Sequence, residues 1–234
     1  MKLTVIIPVF NEENTISELV DKVKNARLSK KLDKEIIVVD DGSLDKTAKI
    51  LRKIKGIRYF SHKKNQGKGA AIKTGMKKAR GEIVLIQDAD LEYNPDDFKK
   101  LIEPILKRES DVVYGSRFRN LRLTLFGKNR TPMPLHYLGN KFLTFLTNLL
   151  YQANLTDMET CYKVFKKDVI NADEIMADRF NFEPEFTAKI LKKGIKIHEV
   201  PITVIPRSYN EGKKITWKDG LIAVKVLLRE RFSK

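Results

Sequence analysis

Glu82-Ile83-Val84-Leu85-Ile86-Gln87-Asp88-Ala89-Asp90 is the stretch on which the fold turns. Ile83 to Ile86 is a short apolar run, mostly β-branched, preceded by Gly81. It is too short for a helix and has the character of a strand buried on both faces, as in a parallel sheet. The run breaks off in Asp88 and Asp90. Along an extended chain, residues two apart face the same side. Both carboxylates are therefore expected to converge just past the strand's C-terminal end, the edge at which open α/β sheets bind ligands. Paired carboxylates repel each other, and a hard cation such as Mg²⁺ or Mn²⁺ relieves that repulsion. Such an ion shares its remaining coordination positions with substrate phosphates. Asp-x-Asp is also a common strand terminator with no function, so its weight depends on what surrounds it.

Upstream, Leu3 to Val9 reads as a first buried strand, with a loop at Phe10-Asn11-Glu12-Glu13. A helix follows to Arg27, with Asn14 as its expected cap and Ile16, Leu19, Val20 and Val23 facing inward. Glu35 to Val39 is a second strand, and it too ends in acid, Asp40-Asp41-Gly42-Ser43. Asp45 opens the next helix, Ile57 to Ser61 is a third strand, and Lys63 to Gly69 leads into a helix from Ala70 to Ala79. Downstream come a helix from Pro95 to Lys107 and a strand from Asp111 to Gly115. Strands alternating with helices of this length predict an α/β fold with a mostly parallel central sheet and right-handed crossovers.

That rhythm divides the chain into residues 1–115, a nucleotide-binding half, and residues 116–234, in which it is lost. Ser116 to Arg130 carries Arg117, Arg119, Arg122, Lys128 and Arg130 without an acid and reads as a basic loop. Leu135 to Leu150 is expected to be an amphipathic helix, with Leu135, Leu138, Phe142, Leu146 and Leu149 on one side and Asn140, Thr144 and Asn148 opposite; packing of the apolar side on the sheet is the favoured reading. Thr156 to Phe165 holds Asp157, Glu159, Thr160 and Lys163. Phe182-Glu183-Pro184-Glu185 opens a helix that Gly194 ends, and Ile195 to Ile205 alternates like a strand. Thr216 to Phe232 is a helix with a stripe of Trp217, Leu221, Val224 and Leu228 beside Lys218, Lys225 and Arg229.

With 46 Lys and Arg against 30 Asp and Glu, the 234-residue chain has a formal net charge of +16. Such a balance implies an anionic partner: nucleic acid, a phosphorylated metabolite or an acidic membrane surface. Cys161 is the single cysteine, so no internal disulfide can form, and a reducing compartment is expected. His62, His136 and His198 stand far apart, which removes a zinc site of ordinary spacing. No uninterrupted apolar segment reaches about 18 residues, so membrane contact is expected to be peripheral.

The acids at two strand ends are expected to share one cleft. Asp88 and Asp90 suit a metal on a diphosphate, while Asp40 or Asp41 suits a base N–H or a ribose hydroxyl; the alternative is a turn and a helix cap. Glycines in Gly67-Lys68-Gly69 allow backbone to approach a ligand at a helix N-terminus. Neither a Walker loop nor a dinucleotide fingerprint follows the first strand, which argues against ATP hydrolysis and NAD chemistry.

Val5-Ile6-Ile7-Pro8-Val9-Phe10-Asn11-Glu12-Glu13, Val38-Val39-Asp40-Asp41-Gly42-Ser43, Asn65-Gln66-Gly67-Lys68-Gly69-Ala70-Ala71, Gln87-Asp88-Ala89-Asp90 and Gly115-Ser116-Arg117-Phe118 stand in this order. In that order they resemble family 2 glycosyltransferases of the GT-A fold. The likeness is greatest to the branch of dolichyl-phosphate mannose and glucose synthases and polyprenyl-phosphate glycosyltransferases. The resemblance implies that Pro8, Phe10 and Glu12 line the nucleotide pocket, with Asp40 or Asp41 reading base or ribose. It implies that Gly67 and Lys68 border the same donor, and that Asp88 and Asp90 hold Mg²⁺ or Mn²⁺ on its diphosphate, helped by Gln87 or a water. Arg117 contacts donor or acceptor phosphates on this reading. Phe10 departs from the commoner tyrosine and cannot donate a hydroxyl hydrogen bond. Asp157-Met158-Glu159-Thr160 departs from the small, glycine-containing segment of the mannose synthases, which tilts the sugar toward glucose or another hexose without excluding mannose, so the expected donor is UDP-glucose or GDP-mannose.

The expected reaction is inverting transfer of a hexose to a polyprenyl or dolichyl phosphate. A phosphate monoester, with a second pKa of about 6, is already largely a dianion and needs cations rather than a base. Arg117, Arg119, Arg130, Arg207 and Lys213 are the cations expected to gather on it. A hydroxyl acceptor on a saccharide or protein would instead need a carboxylate base, for which Asp157 and Glu159 are the candidates. A sugar nucleotidyltransferase would open with a glycine-rich basic loop after the first strand. A basic nucleic-acid-binding module explains the charge, but acids at the strand ends oppose a polyanion, so no nucleic acid partner is expected. The C-terminal helix suits an anionic membrane surface on the cytoplasmic side, with or without a membrane-anchoring partner.

Overall fold

The computed structural model describes residues 1–28, 32–119, 134–205 and 217–233. Its centre is a seven-stranded sheet: β1 (Lys2–Val9), β2 (Asp33–Asp40), β3 (Arg58–Ser61), β4 (Ile83–Ile86), β5 (Val112–Ser116), β6 (Lys163–Lys166) and β7 (Ile197–Pro201). The strand order is β3-β2-β1-β4-β6-β5-β7. All pairings are parallel except those of β6, which runs antiparallel to both β4 and β5.

β1 is buried from Leu3 to Val9 and pairs with β2 along its whole length, Lys2 opposite Asp33 and Val9 opposite Asp40. On its other side Leu3 to Ile6 meet Ile83 to Ile86 of β4, every residue of which is buried. The chain thus winds outward from β1 through β2 to β3, then returns to the opposite side of β1 as β4. That reversal opens a crevice at the C-terminal ends of β1 and β4, the place where such sheets take ligands. The sheet does not end at residue 115. β6 and β7, both from the second half, complete it, so the two halves share one core.

Helices α1 (Ile16–Asn25), α2 (Thr47–Leu51), α3 (Lys68–Lys78) and α4 (Phe98–Leu106) cover the first half. In α1 the buried apolar row is Ile16, Leu19, Val20 and Val23, as its periodicity predicts, whereas the short α2 buries Thr47 and Leu51. The cap of α1 differs from expectation. Thr15, not Asn14, stands at the N-cap position, and its hydroxyl turns back to the Glu12 carboxylate and the Ala89 carbonyl, both at 2.9 Å. The hydroxyl ties the β1 loop to the β4 loop instead of capping the helix.

Helices α5 (Pro134–Tyr151), α6 (Phe182–Lys192) and α7 (Trp217–Phe232) form a second layer with its own small core of Leu143, Leu155, Met158, Ala188, Ala223 and Leu227. Here α5 departs from the expected orientation: of the predicted apolar side Leu146 packs on the small core, alongside Leu143 and Leu150. Thr144 and Thr147 are buried, and Asn148 exchanges hydrogen bonds with the backbone of Leu155. Leu135, Leu138, Phe142, Phe145 and Leu149 face outward, each at least half exposed. Polar residues pack inward because the loop at residues 155–158 presents unpaired backbone groups; the Thr144 hydroxyl, for example, accepts from the Met158 N–H at 3.1 Å. Among the described residues, no helix is long and apolar enough to cross a membrane.

Candidate active site

The loops after β1 and β2 are laced together at the sheet edge. Asn11 N–H donates to Ser43 Oγ (3.0 Å), Asn11 Oδ1 accepts from Leu44 N–H (2.8 Å), and Glu12 N–H donates to Thr47 Oγ1 (2.9 Å). Pro8 lies in β1, Phe10 is half-buried just past its end, and Glu12 is nearly buried with the Thr15 hydroxyl on its carboxylate.

Asp40 and Asp41 are both 2% exposed, and the bonds they accept come from the protein itself. Asp40 accepts from Ser43 N–H (2.9 Å) and the Tyr59 hydroxyl (3.1 Å). Asp41 accepts from Gln66 N–H (3.0 Å) and Gly67 N–H (2.7 Å), and pairs with His62 Nδ1 at 2.7 Å. Asp41 is therefore a staple for the segment from His62 to Gly67, a structural duty the ligand-reading expectation did not include. Asp40, with fewer partners, retains more accepting capacity.

Gly67 and Gly69 are also explained by packing rather than by ligand approach. Gly67 has φ +108°, and a Cβ there would lie 2.3 Å from the Asp178 carbonyl oxygen; at Gly69 a Cβ would meet the Ala177 oxygen at 2.5 Å. No L side chain fits between these backbones, and α3 is thereby anchored against residues 177–178. The Gly67 N–H belongs to Asp41, so it is not offered to a phosphate.

Asp88 and Asp90 lie at the crevice, but not by the alternation the sequence suggested. β4 stops at Ile86, and the chain turns through Ala89-Asp90, with Leu91 at φ +64°. Asp88 accepts the Lys68 ammonium at 2.8 Å, while an Asp90 oxygen closes a tight turn by accepting from Glu92 N–H at 3.1 Å. Gln87 is fully buried. Its Oε1 accepts from the Tyr162 hydroxyl (2.8 Å) and its Nε2 donates to the Asp88 carbonyl (3.0 Å), so its side chain buttresses the turn and cannot assist an ion at the surface.

Lys68, the first residue of α3, bridges Asp88 and Glu183, with 2.8 Å to each carboxylate. Glu183 sits in the first turn of α6 and was read from the sequence only as a helix opener. The acid-rich start of that helix was the available signal, but nothing in the pattern tied it to Lys68. Opposite, at the end of β5, Arg117 grips Asp157. Its Nε and Nη2 donate to the two carboxylate oxygens at 2.7 Å each, and its backbone N–H adds a third bond at 2.9 Å. Asp157 is completely buried. Its turn is held by Glu199 of β7, which accepts from Thr156 N–H and Asp157 N–H. An acid so enclosed and paired with a guanidinium is poorly placed to take a proton from an acceptor, which argues against its candidacy as a base.

Glu159 is corrected for a different reason. Burial, reinforced by Glu183, pushes its carboxyl well above the usual range, so it holds its proton near neutrality. One of its oxygens is buried without a hydrogen-bond partner. Beside it Lys163 is fully buried, with its ammonium on the Met158 and Thr160 carbonyls (3.0 and 2.5 Å) and 4.4 Å from the Tyr114 ring centroid; burial pulls its pKa down. Arg119 is exposed and donates to the Glu199 carbonyl at the edge of β7. Arg122, Lys128, Arg130, Arg207 and Lys213 lie outside the described residues.

Asp88 and Asp90 fit a hard divalent ion. They are carboxylates, each partly open to solvent at the ligand edge of the sheet. Among the described residues no group of three or more His, Cys, Asp or Glu makes a self-sufficient metal cage. One or two carboxylates plus substrate phosphates is the arrangement Mg²⁺ favours.

A family model described as glycosyl transferase family 2 matches residues 4–172. A UDP-N-acetylglucosamine–dolichyl-phosphate N-acetylglucosaminyltransferase of Methanococcus voltae is 32% identical, over 88% of this chain and 86% of its own length. A dodecaprenyl-phosphate galacturonate synthase of Rhizobium johnstonii is 28% identical, over 91% of this chain and 62% of its own. Among solved structures, glucosyl-3-phosphoglycerate synthase of Mycobacterium tuberculosis, in complex with Mn²⁺ and UDP-glucose, shares the fold with a TM-score of 0.73. It is 20% identical, and the match covers 98% of this chain and 78% of that one.

Proposed function

This chain belongs to glycosyl transferase family 2, and we propose that it moves a hexose, with inversion, from a nucleotide diphosphate sugar to a polyprenyl phosphate. The observation that carries the acceptor is the state of the acids around the crevice. Asp157 is locked in the fork of Arg117, Glu183 is ion-paired with Lys68, and Glu159 is enclosed, with a carboxyl oxygen buried without a hydrogen-bond partner and its pKa pushed up by burial. An alcohol acceptor needs a free carboxylate within reach. A phosphate monoester, already anionic near neutrality, does not. The two relatives named above differ in sugar and agree on a polyprenyl or dolichyl phosphate, which supports the same acceptor class.

Each residue then has a task. Pro8, Phe10 and Glu12 border the nucleotide, and Asp40, which has fewer protein partners than Asp41, accepts from its base or ribose. Asp88 and Asp90 hold Mg²⁺ or Mn²⁺, which supplies charge stabilisation for the departing diphosphate when bound. Lys68 adds a cation beside the same phosphates. Arg117, oriented by Asp157 and 18% exposed, turns its outer edge to the acceptor phosphate; a guanidinium fixed on one side loses little entropy in binding on the other. Donor attraction and acceptor steering are thus both electrostatic, and preorganised donors of this kind act most strongly as charge develops in the transition state.

A polyprenyl tail puts the acceptor at a bilayer. The outward apolar row of α5 and the exposed Trp217, Leu221 and Phe232 of α7, beside Lys218, Lys225 and Arg229, suit an anionic membrane surface on its cytoplasmic side. The test is a panel of UDP- and GDP-sugars with Mn²⁺. Donors are found by metal-dependent thermal stabilisation, then assayed for transfer to a short polyprenyl phosphate. Metal-dependent transfer to the lipid phosphate with inverted anomeric configuration is expected. Transfer to a saccharide or peptide hydroxyl, with the lipid phosphate inert, overturns the assignment.

A further inference from the structure

The bridge from Lys68 to Asp88 and Glu183 has a consequence for how metal and donor bind. We propose that Lys68 is a tethered counter-cation. Without donor it neutralises Asp88 in place of the divalent ion, and Glu183 is the anchor from which it later exchanges Asp88 for the donor diphosphate. The inference rests on the donor and metal reading given above and concerns the order in which those ligands are accepted.

Three features of the geometry carry it. The ammonium stands 2.8 Å from Asp88 Oδ1 and 2.8 Å from Glu183 Oε1, so one cation serves two acids from different elements. The arrangement borders solvent, the side chains of Lys68 and Asp88 being 15% and 22% exposed, whereas Glu183 is only 6% exposed. The exchangeable partner is therefore Asp88 and the fixed one Glu183. Finally, the backbone under Lys68 cannot move, because Gly67 and Gly69 are wedged against residues 177–178. Only the four-carbon stem is free to swing, which carries the ammonium a few ångströms without disturbing α3.

A divalent ion arriving alone must take an oxygen already bonded to Lys68 and then sit beside that ammonium. Its binding is penalised twice, by the lost ion pair and by like-charge repulsion. Arriving with a diphosphate, the ion brings anionic oxygens that give Lys68 a new partner while Glu183 keeps its hold. Metal and nucleotide therefore bind with positive coupling, and by linkage each raises the other's affinity by the same factor. The arrangement keeps the carboxylates from binding stray cations yet leaves them ready for the charged donor.

The test uses the whole protein, Mn²⁺ alone, UDP alone, and the two together, with affinities from calorimetry and from the free-Mn²⁺ paramagnetic resonance signal. In the wild type, Mn²⁺ is expected to tighten UDP binding about 10-fold or more. Lys68→Met keeps the stem and removes the charge. It is expected to bind Mn²⁺ alone about 3- to 10-fold more tightly than wild type and to lose most of the coupling, while Lys68→Arg keeps both near wild type. Glu183→Gln leaves Asp88 as the lysine's one charged partner and is expected to weaken Mn²⁺ binding, the opposite sign. Opposite shifts from two residues in contact are not what general loosening produces. If Lys68→Met fails to fold, as judged by circular dichroism, the sign of the Glu183→Gln effect decides alone. A wild type that binds both ligands, with unchanged or weaker Mn²⁺ binding in Lys68→Met or tighter Mn²⁺ binding in Glu183→Gln, overturns the proposal and leaves the donor reading standing. A wild type that binds neither Mn²⁺ nor UDP removes the donor reading and this proposal with it.

Discussion

Arg117 and Asp157 meet as a two-pronged ion pair, Nε and Nη2 each 2.7 Å from a carboxylate oxygen, with the acid wholly buried and the guanidinium at the surface of the crevice. The pair distinguishes an orienting acid from a catalytic one. Asp157→Asn keeps one acceptor oxygen and the shape but loses the charge. It is expected to raise the acceptor KM about 10-fold and leave kcat within about threefold, because Arg117 is misaimed while the chemistry is intact. Asp157→Ala leaves a guanidinium only 18% exposed without its counter-charge and is expected to cost about 3 kcal/mol in urea unfolding. A collapse of kcat in Asp157→Asn at unchanged KM would restore the carboxylate as a base.

The Asp90 turn gives a separation of a different kind. An asparagine at this position still offers Oδ1 to the Glu92 N–H, so the turn survives. Asp90→Asn is therefore expected to keep the circular dichroism and thermal midpoint of wild type and to lose turnover by about 100-fold or more, since a neutral amide is a poor ligand for a hard divalent ion. Full activity in this variant excludes Asp90 from holding metal.

Glu159 carries the pH dependence of stability. Its folded pKa is raised, by burial first and by Glu183 second, so the folded state keeps a proton that the unfolded chain releases near pH 4.5. The unfolded state then binds fewer protons, and stability falls as pH rises from about 5 toward the folded pKa. Glu159→Gln removes this slope. Its stability advantage over wild type is expected to grow across pH 5 to 8 to about 1–2 kcal/mol, reduced from the full shift by partial solvent access. Denaturant midpoints at four pH values suffice, and parallel curves for the two proteins contradict the assignment. Lys163, whose pKa is lowered, acts at more alkaline pH, where the unfolded lysine still binds its proton and stability rises with pH.

Much of this architecture is legible in the sequence. β1, β2 and β4 are continuous apolar runs because both faces of the sheet are covered, and such runs need no partner to be recognised. β6 left no such mark. Lys163-Val164-Phe165-Lys166 is four residues with a lysine at each end, and Lys163 is buried only because carbonyls of the preceding turn and the Tyr114 ring receive its ammonium. The crevice acids were located by their position at strand ends. What each one bonds was not legible, because Lys68 and Glu183, or Arg117 and Asp157, meet through pairings between distant elements. Asp88 and Asp90 were expected to point alike from an extended chain; the strand ends at Ile86, and beyond it the turn sets their directions instead.

The orientation of α5 departs furthest from expectation: Leu135, Leu138, Phe142 and Leu149 of the expected inner side face outward with Phe145, and Leu146 packs inward with Leu143 and Leu150. Amphipathicity says which residues share a face; it does not say which face meets the protein. Thr144 and Thr147 are buried and Asn148 half-buried because they satisfy backbone groups, while Phe142 and Phe145 stand 57% and 63% exposed. An outward row of five large apolar side chains is costly in water unless something apolar covers it. If the bilayer does so, Phe142→Ser with Phe145→Ser is expected to leave the thermal midpoint unchanged or higher and to weaken binding to vesicles containing anionic lipid. Burial of roughly 2 kcal/mol per phenylalanine, discounted for partial insertion, makes that loss about 10-fold. Flotation of wild type and variant at equal protein concentration measures it. Equal flotation of the two, or a fall in the thermal midpoint showing that the row packs within the protein, removes α5 from the membrane contact and leaves the basic flank of α7 to account for it alone.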